Sequence, residues 1–102
     1  MSRAKYPALR LAFAVPNGAW TMNKAMAVKL KREGLRVGVP DWILPVRTQF
    51  YAGLAIEFKR SPGVKLSNQQ AEYHELMRSH GWSVHVCTTW QSAAAVVEEY
   101  LK

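Results

Sequence analysis

A chain of 102 residues predicts one domain, residues 1–102, with room for a single modest core. Its 49% apolar content excludes intrinsic disorder, its longest apolar segments are far too short to cross a bilayer, and its lone cysteine, Cys87, excludes an internal disulfide or a cysteine-rich zinc site. Fourteen Lys and Arg against seven Asp and Glu give a net charge of +7, a surplus that favours a polyanion, most commonly nucleic acid. The N-terminus carries Arg3 and Lys5 but no long apolar stretch, so no signal peptide is expected, and the single cysteine points to a reducing, intracellular setting.

Taken in order, residues 1–7 read as a lead-in and residues 9–15 as a strand, stopped by the turn signature Pro16-Asn17-Gly18. Between residues 22 and 33, Met22, Ala25, Met26 and Leu30 share one helical face, with Thr21 as N-cap and Gly34 as stop. Lys24 and Lys31 lie on one side of that helix, where they suit a phosphate backbone as well as they suit solvent. Eight basic residues precede Asp41, against the lone acid Glu33.

Two apolar runs follow, predicted as strands over residues 41–46 and 52–59 and joined by a short polar segment, the pattern of a β-hairpin. Pro45 cannot donate to a ladder, so the first strand is expected to be an edge there or to be ending. The tip, Arg47-Thr48-Gln49-Phe50-Tyr51, sets a charge beside two aromatics, as a DNA contact, a subunit contact or an ordinary turn would. A basic loop, from Arg60 to Lys65 with Pro62-Gly63 inside it, leads to a helix that starts at Ser67 and stops at Gly81, with Tyr73, Leu76 and Met77 as its buried side. Residues 82–88 read as a strand, and a last helix from Thr89 or Trp90 buries Ala93, Val96, Val97 and Tyr100. This order predicts one α/β or α+β domain with a mixed sheet.

The hairpin carries the chemistry. Antiparallel pairing brings the start of the first strand beside the end of the second, so Asp41, Glu57 and Lys59 should meet at one end. Alternation puts Glu57 and Lys59 on the face of Gly53 and Ala55, and leaves Ala52, Leu54, Ile56 and Phe58 for the core. Two carboxylates beside an apolar hairpin are costly unless paired or bound to a metal. Oxygen ligands suit hard divalent ions, Mg²⁺ or Mn²⁺ first, with the Phe58 carbonyl as a third donor. Lys59 would then orient a water, stabilise charge or act as a base. Taken alone, Glu57-x-Lys59 is better explained by a surface ion pair, and such pairs are worth little. Joined to Pro40-Asp41 across one hairpin in a basic domain, it is far more specific.

Gln70 sits three and seven residues before Tyr73 and Met77, so it shares the expected buried side. It also completes a Ser67-x-x-Gln70 capping box, and either role fits. The histidines form no metal-binding spacing: His74 and His80 are expected on or near the helix surface, and His85 partly buried on its strand. No phosphate-cradling glycine motif is present.

Gly38-Val39-Pro40-Asp41, then Ile56-Glu57-Phe58-Lys59, then Leu66-Ser67-Asn68-Gln69-Gln70 with Gly81 and Tyr100-Leu101, resemble in order and spacing the virus-type replication-repair nuclease domain, VRR-NUC. The resemblance runs from Pro16-Asn17-Gly18 to the C-terminus. It implies a restriction-endonuclease-like core of the PD-(D/E)xK superfamily, a mixed four-stranded sheet flanked by helices. It implies a Mg²⁺- or Mn²⁺-dependent endonuclease on branched or flapped DNA, Holliday-junction-resolvase-like and homodimeric. It also implies the cytoplasm of a bacterial or phage-infected cell, since stand-alone members are often phage-encoded. By position, Asp41 and Glu57 match the metal carboxylates, Lys59 the catalytic lysine, Gln70 the helix glutamine and Asn17 a turn bordering the site. Arg47, Arg60 and Lys65 join Asn17, Lys24 and Lys31 as expected DNA contacts. The family usually has an acidic residue on a helix before its first strand. Residues 1–8 hold no Asp or Glu and leave no room for that helix. A non-catalytic nucleic-acid-binding module on the same scaffold is therefore the second expectation, and a basic adaptor for an acidic protein the third.

Overall fold

Pro7 decides how the described part of the chain begins. Proline fixes φ and lacks an N–H, which suits a first helical turn. Pro7–Leu11 accordingly form a 3₁₀ turn, where a strand was expected from Leu9. The computed structural model describes residues 5–15 and 38–102. The helix expected over residues 22–33 lies outside them.

Strand β1, Phe13–Ala14, pairs antiparallel with β2, Trp42–Leu44, and Val15 N–H donates to the Asp41 carbonyl at 2.8 Å to extend the ladder. Strand β3, Gly53–Phe58, runs antiparallel to β2 with Trp42 opposite Ile56 and Leu44 opposite Leu54. The first strand of the hairpin is shorter than predicted because Pro45 ends it. At the tip, the Thr48 hydroxyl accepts from the amides of Phe50 and Tyr51 at 3.2 and 3.1 Å.

Helix α1, Asn68–Ser79, crosses from β3 to β4, Trp82–Cys87, which lies parallel to β3. Helix α2, Trp90–Leu101, follows. The sheet order β1-β2-β3-β4, two antiparallel pairings and one parallel, is the expected mixed four-stranded α+β sheet. Both helices start on reciprocal capping boxes, Ser67 with Gln70 and Thr89 with Ser92. Past the end of α1, Gly81 takes φ +89°, the left-handed geometry of a helix stop.

Alternation divides the sheet into two faces. Leu44, Leu54, Ile56 and Cys87 pack with Ala93 and Val97 of α2. Ile43, Ala55 and Val84 pack with Met77 of α1 and with Trp82. Gly53 is required on this second face, because a Cβ there would collide with the Trp82 ring. One helix face differs from expectation. Leu76 is 58% exposed and His74, expected at the surface, is wholly buried. The inward stripe of α1 runs through Gln70, His74 and Met77. Leu76, two residues past His74, is turned about 200° round the helix from it. His85, expected to be partly buried, is exposed on β4.

Candidate active site

The register of the hairpin builds the site. One step beyond the Trp42–Ile56 pair sets Asp41 across from Glu57. Both lie on the face of Ile43 and Ala55, under α1. The approach to Asp41 is held by Gly38, whose φ is +93° and where a Cβ would stand 2.5 Å from the Gln69 carbonyl oxygen. That close backbone contact locks the segment before Asp41 onto the first turn of α1, where Gln70 sits.

Asp41 Oδ2 accepts the Phe58 amide N–H at 2.7 Å. Glu57 is 2% exposed and hydrogen-bonded to Asp41. Burial foremost, then the hydrogen bond and negative charge of Asp41, push the Glu57 carboxyl up to about 8, against a smaller opposing pull from Lys59. The Lys59 ammonium donates to Gln70 Oε1 at 2.8 Å, and the Ser67 amide donates to the same oxygen at 2.9 Å. Gln70 thus completes the expected cap, and the same oxygen also holds the Lys59 ammonium.

His74 belongs to this cluster and was missed. Its Nε2 lies 3.2 Å from Glu57 Oε1. Burial, then the positive charges of Arg78 and Lys59, lower its basicity, against the opposing charge of Asp41. The signal available in the sequence was its spacing, one helical turn after Gln70.

The donor set fits a hydrated hard cation. A buried carboxylate pressed against a second carboxylate is an arrangement that a divalent ion relieves. Among the described residues no group of three or more His, Cys, Asp or Glu could hold a metal, so a closed all-protein cage is not formed there. Two carboxylates suit Mg²⁺ or Mn²⁺, which keep several waters, better than a tetrahedral Zn²⁺ site.

The remaining predicted residues are dispersed. Arg60 and Lys65 are exposed on the loop between Lys59 and α1, at the site end of the sheet. Arg47 is exposed at the opposite end of the hairpin and is not gathered into the site. The length of β3 separates them by on the order of 15 Å. It borders instead a groove of about 930 Å³ with Tyr51, Ser83, His85 and Tyr100, on the α2 side of the sheet. Asn17, Lys24 and Lys31 lie outside the described residues.

Comparison with known proteins agrees with this fold. The family model of the VRR-NUC domain matches residues 10–90. A solved structure titled VRR_NUC domain protein is similar in fold, with a TM-score of 0.76 at 24% identity, covering 92% of this chain and 70% of that chain. No curated protein matches the sequence. No helix among the described residues is long and apolar enough to cross a membrane. With a mixed sheet of this order, a carboxylate pair at its hairpin end and a family match over most of its length, the chain belongs to the VRR-NUC family of nucleases.

Proposed function

We infer that this protein is a Mg²⁺- or Mn²⁺-dependent endodeoxyribonuclease that hydrolyses phosphodiester bonds in branched or flapped DNA, in the manner of a Holliday-junction resolvase. The observation that carries the reading is the pairing of Asp41 with the almost fully buried Glu57, beside a lysine held in place by Gln70. When bound, the cation neutralises phosphate charge and lowers the pKa of a water. Asp41 and Glu57 would hold it, with the Phe58 carbonyl as a third oxygen.

The chain's own groups do the rest. The Phe58 amide orients Asp41, so one carboxylate oxygen is fixed before any ion arrives. Lys59, one pleat beyond Glu57, presents its ammonium where the attacked phosphate gains negative charge, and Gln70 holds it there. Arg60 and Lys65 supply cations at the same end of the sheet for the flanking phosphates. Assembly as a homodimer would offer two such sites to two strands of a junction.

The test is incubation with a plasmid and with a synthetic four-way junction, in Mg²⁺, in Mn²⁺ and in EDTA. Metal-dependent cleavage is expected for the wild type, and Asp41→Ala should abolish it while leaving DNA binding nearly intact. Cleavage by Asp41→Ala at the wild-type rate would refute the metal assignment. Salt-sensitive binding without cleavage by the wild type would make the protein a binding module on a nuclease scaffold.

A further inference from the structure

Helix α1 and strand β3 meet as a two-rung ladder. Gln70 and His74 are one helical turn apart, and Lys59 and Glu57 are one pleat repeat apart. The spacings are about 6 Å along the helix and about 6.6 Å along the strand, so the rungs stay in step. The crossover from β3 to the parallel β4 runs α1 back along β3, which is why the later helix residue meets the earlier strand residue. The first rung joins Gln70 to Lys59 at 2.8 Å and the second brings His74 Nε2 to 3.2 Å from Glu57 Oε1.

We propose that His74 is the positioning residue of the Glu57 carboxylate, donating Nε2–H to Oε1 so that Glu57 is aimed at Asp41 and at the cation between them. The imidazole is fully buried, and among the described residues its enclosed Nδ1 has no hydrogen-bond partner. A proton on Nδ1 would be a buried donor with nothing to receive it, whereas a bare Nδ1 lone pair is the smaller loss. The tautomer is therefore fixed with its hydrogen on Nε2, the atom that faces Glu57. Among the described residues Glu57 also interacts with Asp41, across the strand pair from it, so it is approached from two sides. Groups that hold a metal ligand from behind set its direction before the ion binds. A leucine at position 74 would fit beside Met77 on the inward side of α1, but it would remove the hydrogen bond that turns Glu57. The inference rests on the nuclease reading for what the carboxylate does, not for how it is held.

Two measurements separate these. In metal-free wild-type protein, nitrogen-15 spectra of the His74 ring should report hydrogen on Nε2 and none on Nδ1, with signals that move in Glu57→Gln. Hydrogen on Nδ1 overturns the proposal, and this reading stands whether or not any His74 variant folds. Mn²⁺ affinity is then measured by calorimetry on wild type, His74→Leu and His74→Gln, with near-ultraviolet dichroism as the check on packing. The folded His74→Leu variant should lose roughly 10–100-fold in affinity. His74→Gln, whose amide nitrogen falls close to the place of Nε2, should recover most of that loss. Wild-type Mn²⁺ affinity in a folded His74→Leu variant contradicts the proposal. Absence of Mn²⁺ uptake by the wild type contradicts the nuclease reading instead, while the ring spectrum still decides whether His74 holds Glu57.

Discussion

A glutamate that keeps its proton to about pH 8 sets the acid–base behaviour of the site. Its unfolded reference is 4.5, so the native state binds the extra proton between those values. The share of metal-free stability that Glu57 supplies should be full below pH 4.5 and lost as pH rises through about 8, the sign for a raised carboxylate. Buried His74, whose basicity is lowered, acts in the opposite direction on the acid side. On the proposed function, a divalent ion held by Asp41 and Glu57 would take the place of that proton. Calorimetry in buffers of different ionisation enthalpy should detect about one proton released per Mn²⁺ near pH 7 and almost none near pH 9. Equal release at both pH values would mean that Glu57 is not a ligand. Lys59→Ala should lower turnover more than metal affinity, and the reverse result would make Lys59 structural. At this scale the sequence was informative where geometry is rigid: alternation and pairing bring Asp41, Glu57 and Lys59 to one place in any hairpin of that register. His74 was not legible, because a histidine on a helix looks the same facing solvent as facing a carboxylate until the inward stripe of α1 is known.

The first turn of α1 ties helix stability to the site. Gln70 Oε1 accepts from both the Ser67 amide and the Lys59 ammonium, so one substitution disturbs two functions. Gln70→Ala should cost about 1 kcal/mol through the cap and reduce turnover beyond that loss, because Lys59 is released. Gln70→Glu keeps the cap and adds a charge beside the ammonium, so its thermal midpoint should stay near the wild type. A Gln70→Ala variant that is destabilised yet turns over normally would reduce Gln70 to a cap. Gly53→Ala, whose Cβ meets the Trp82 ring, should destabilise the fold by roughly 1–3 kcal/mol in chemical denaturation. Element order and the starts of both described helices were readable from Ser67, Thr89 and Gly81. The ends of the strands were not. Pro7 converts the start of the first predicted strand into a 3₁₀ turn, and Pro45 shortens the next, through backbone effects that hydrophobic pattern alone does not register.

Across the whole molecule the basic surplus should make DNA binding strongly salt-dependent through release of counterions. Position discriminates among the arginines and lysines. Arg60→Ala with Lys65→Ala should weaken junction binding and flatten its salt dependence by a slope of roughly one to two. Arg47→Ala, at the far end of the hairpin, should change both far less, and an equal effect would place DNA along the α2 side. Charge and composition pointed to a polyanion, in keeping with the nuclease family, and the fold class followed from element order. Which cations lie beside the site did not, because the two ends of a hairpin carry similar composition. The most direct test of the central claim is a crystal soaked in Mn²⁺ and measured for anomalous scattering. A single strong peak between the carboxylates of Asp41 and Glu57, lost in Asp41→Asn, is the expected result. A crystal that takes up Mn²⁺ elsewhere and leaves those two carboxylates sharing a proton would contradict it.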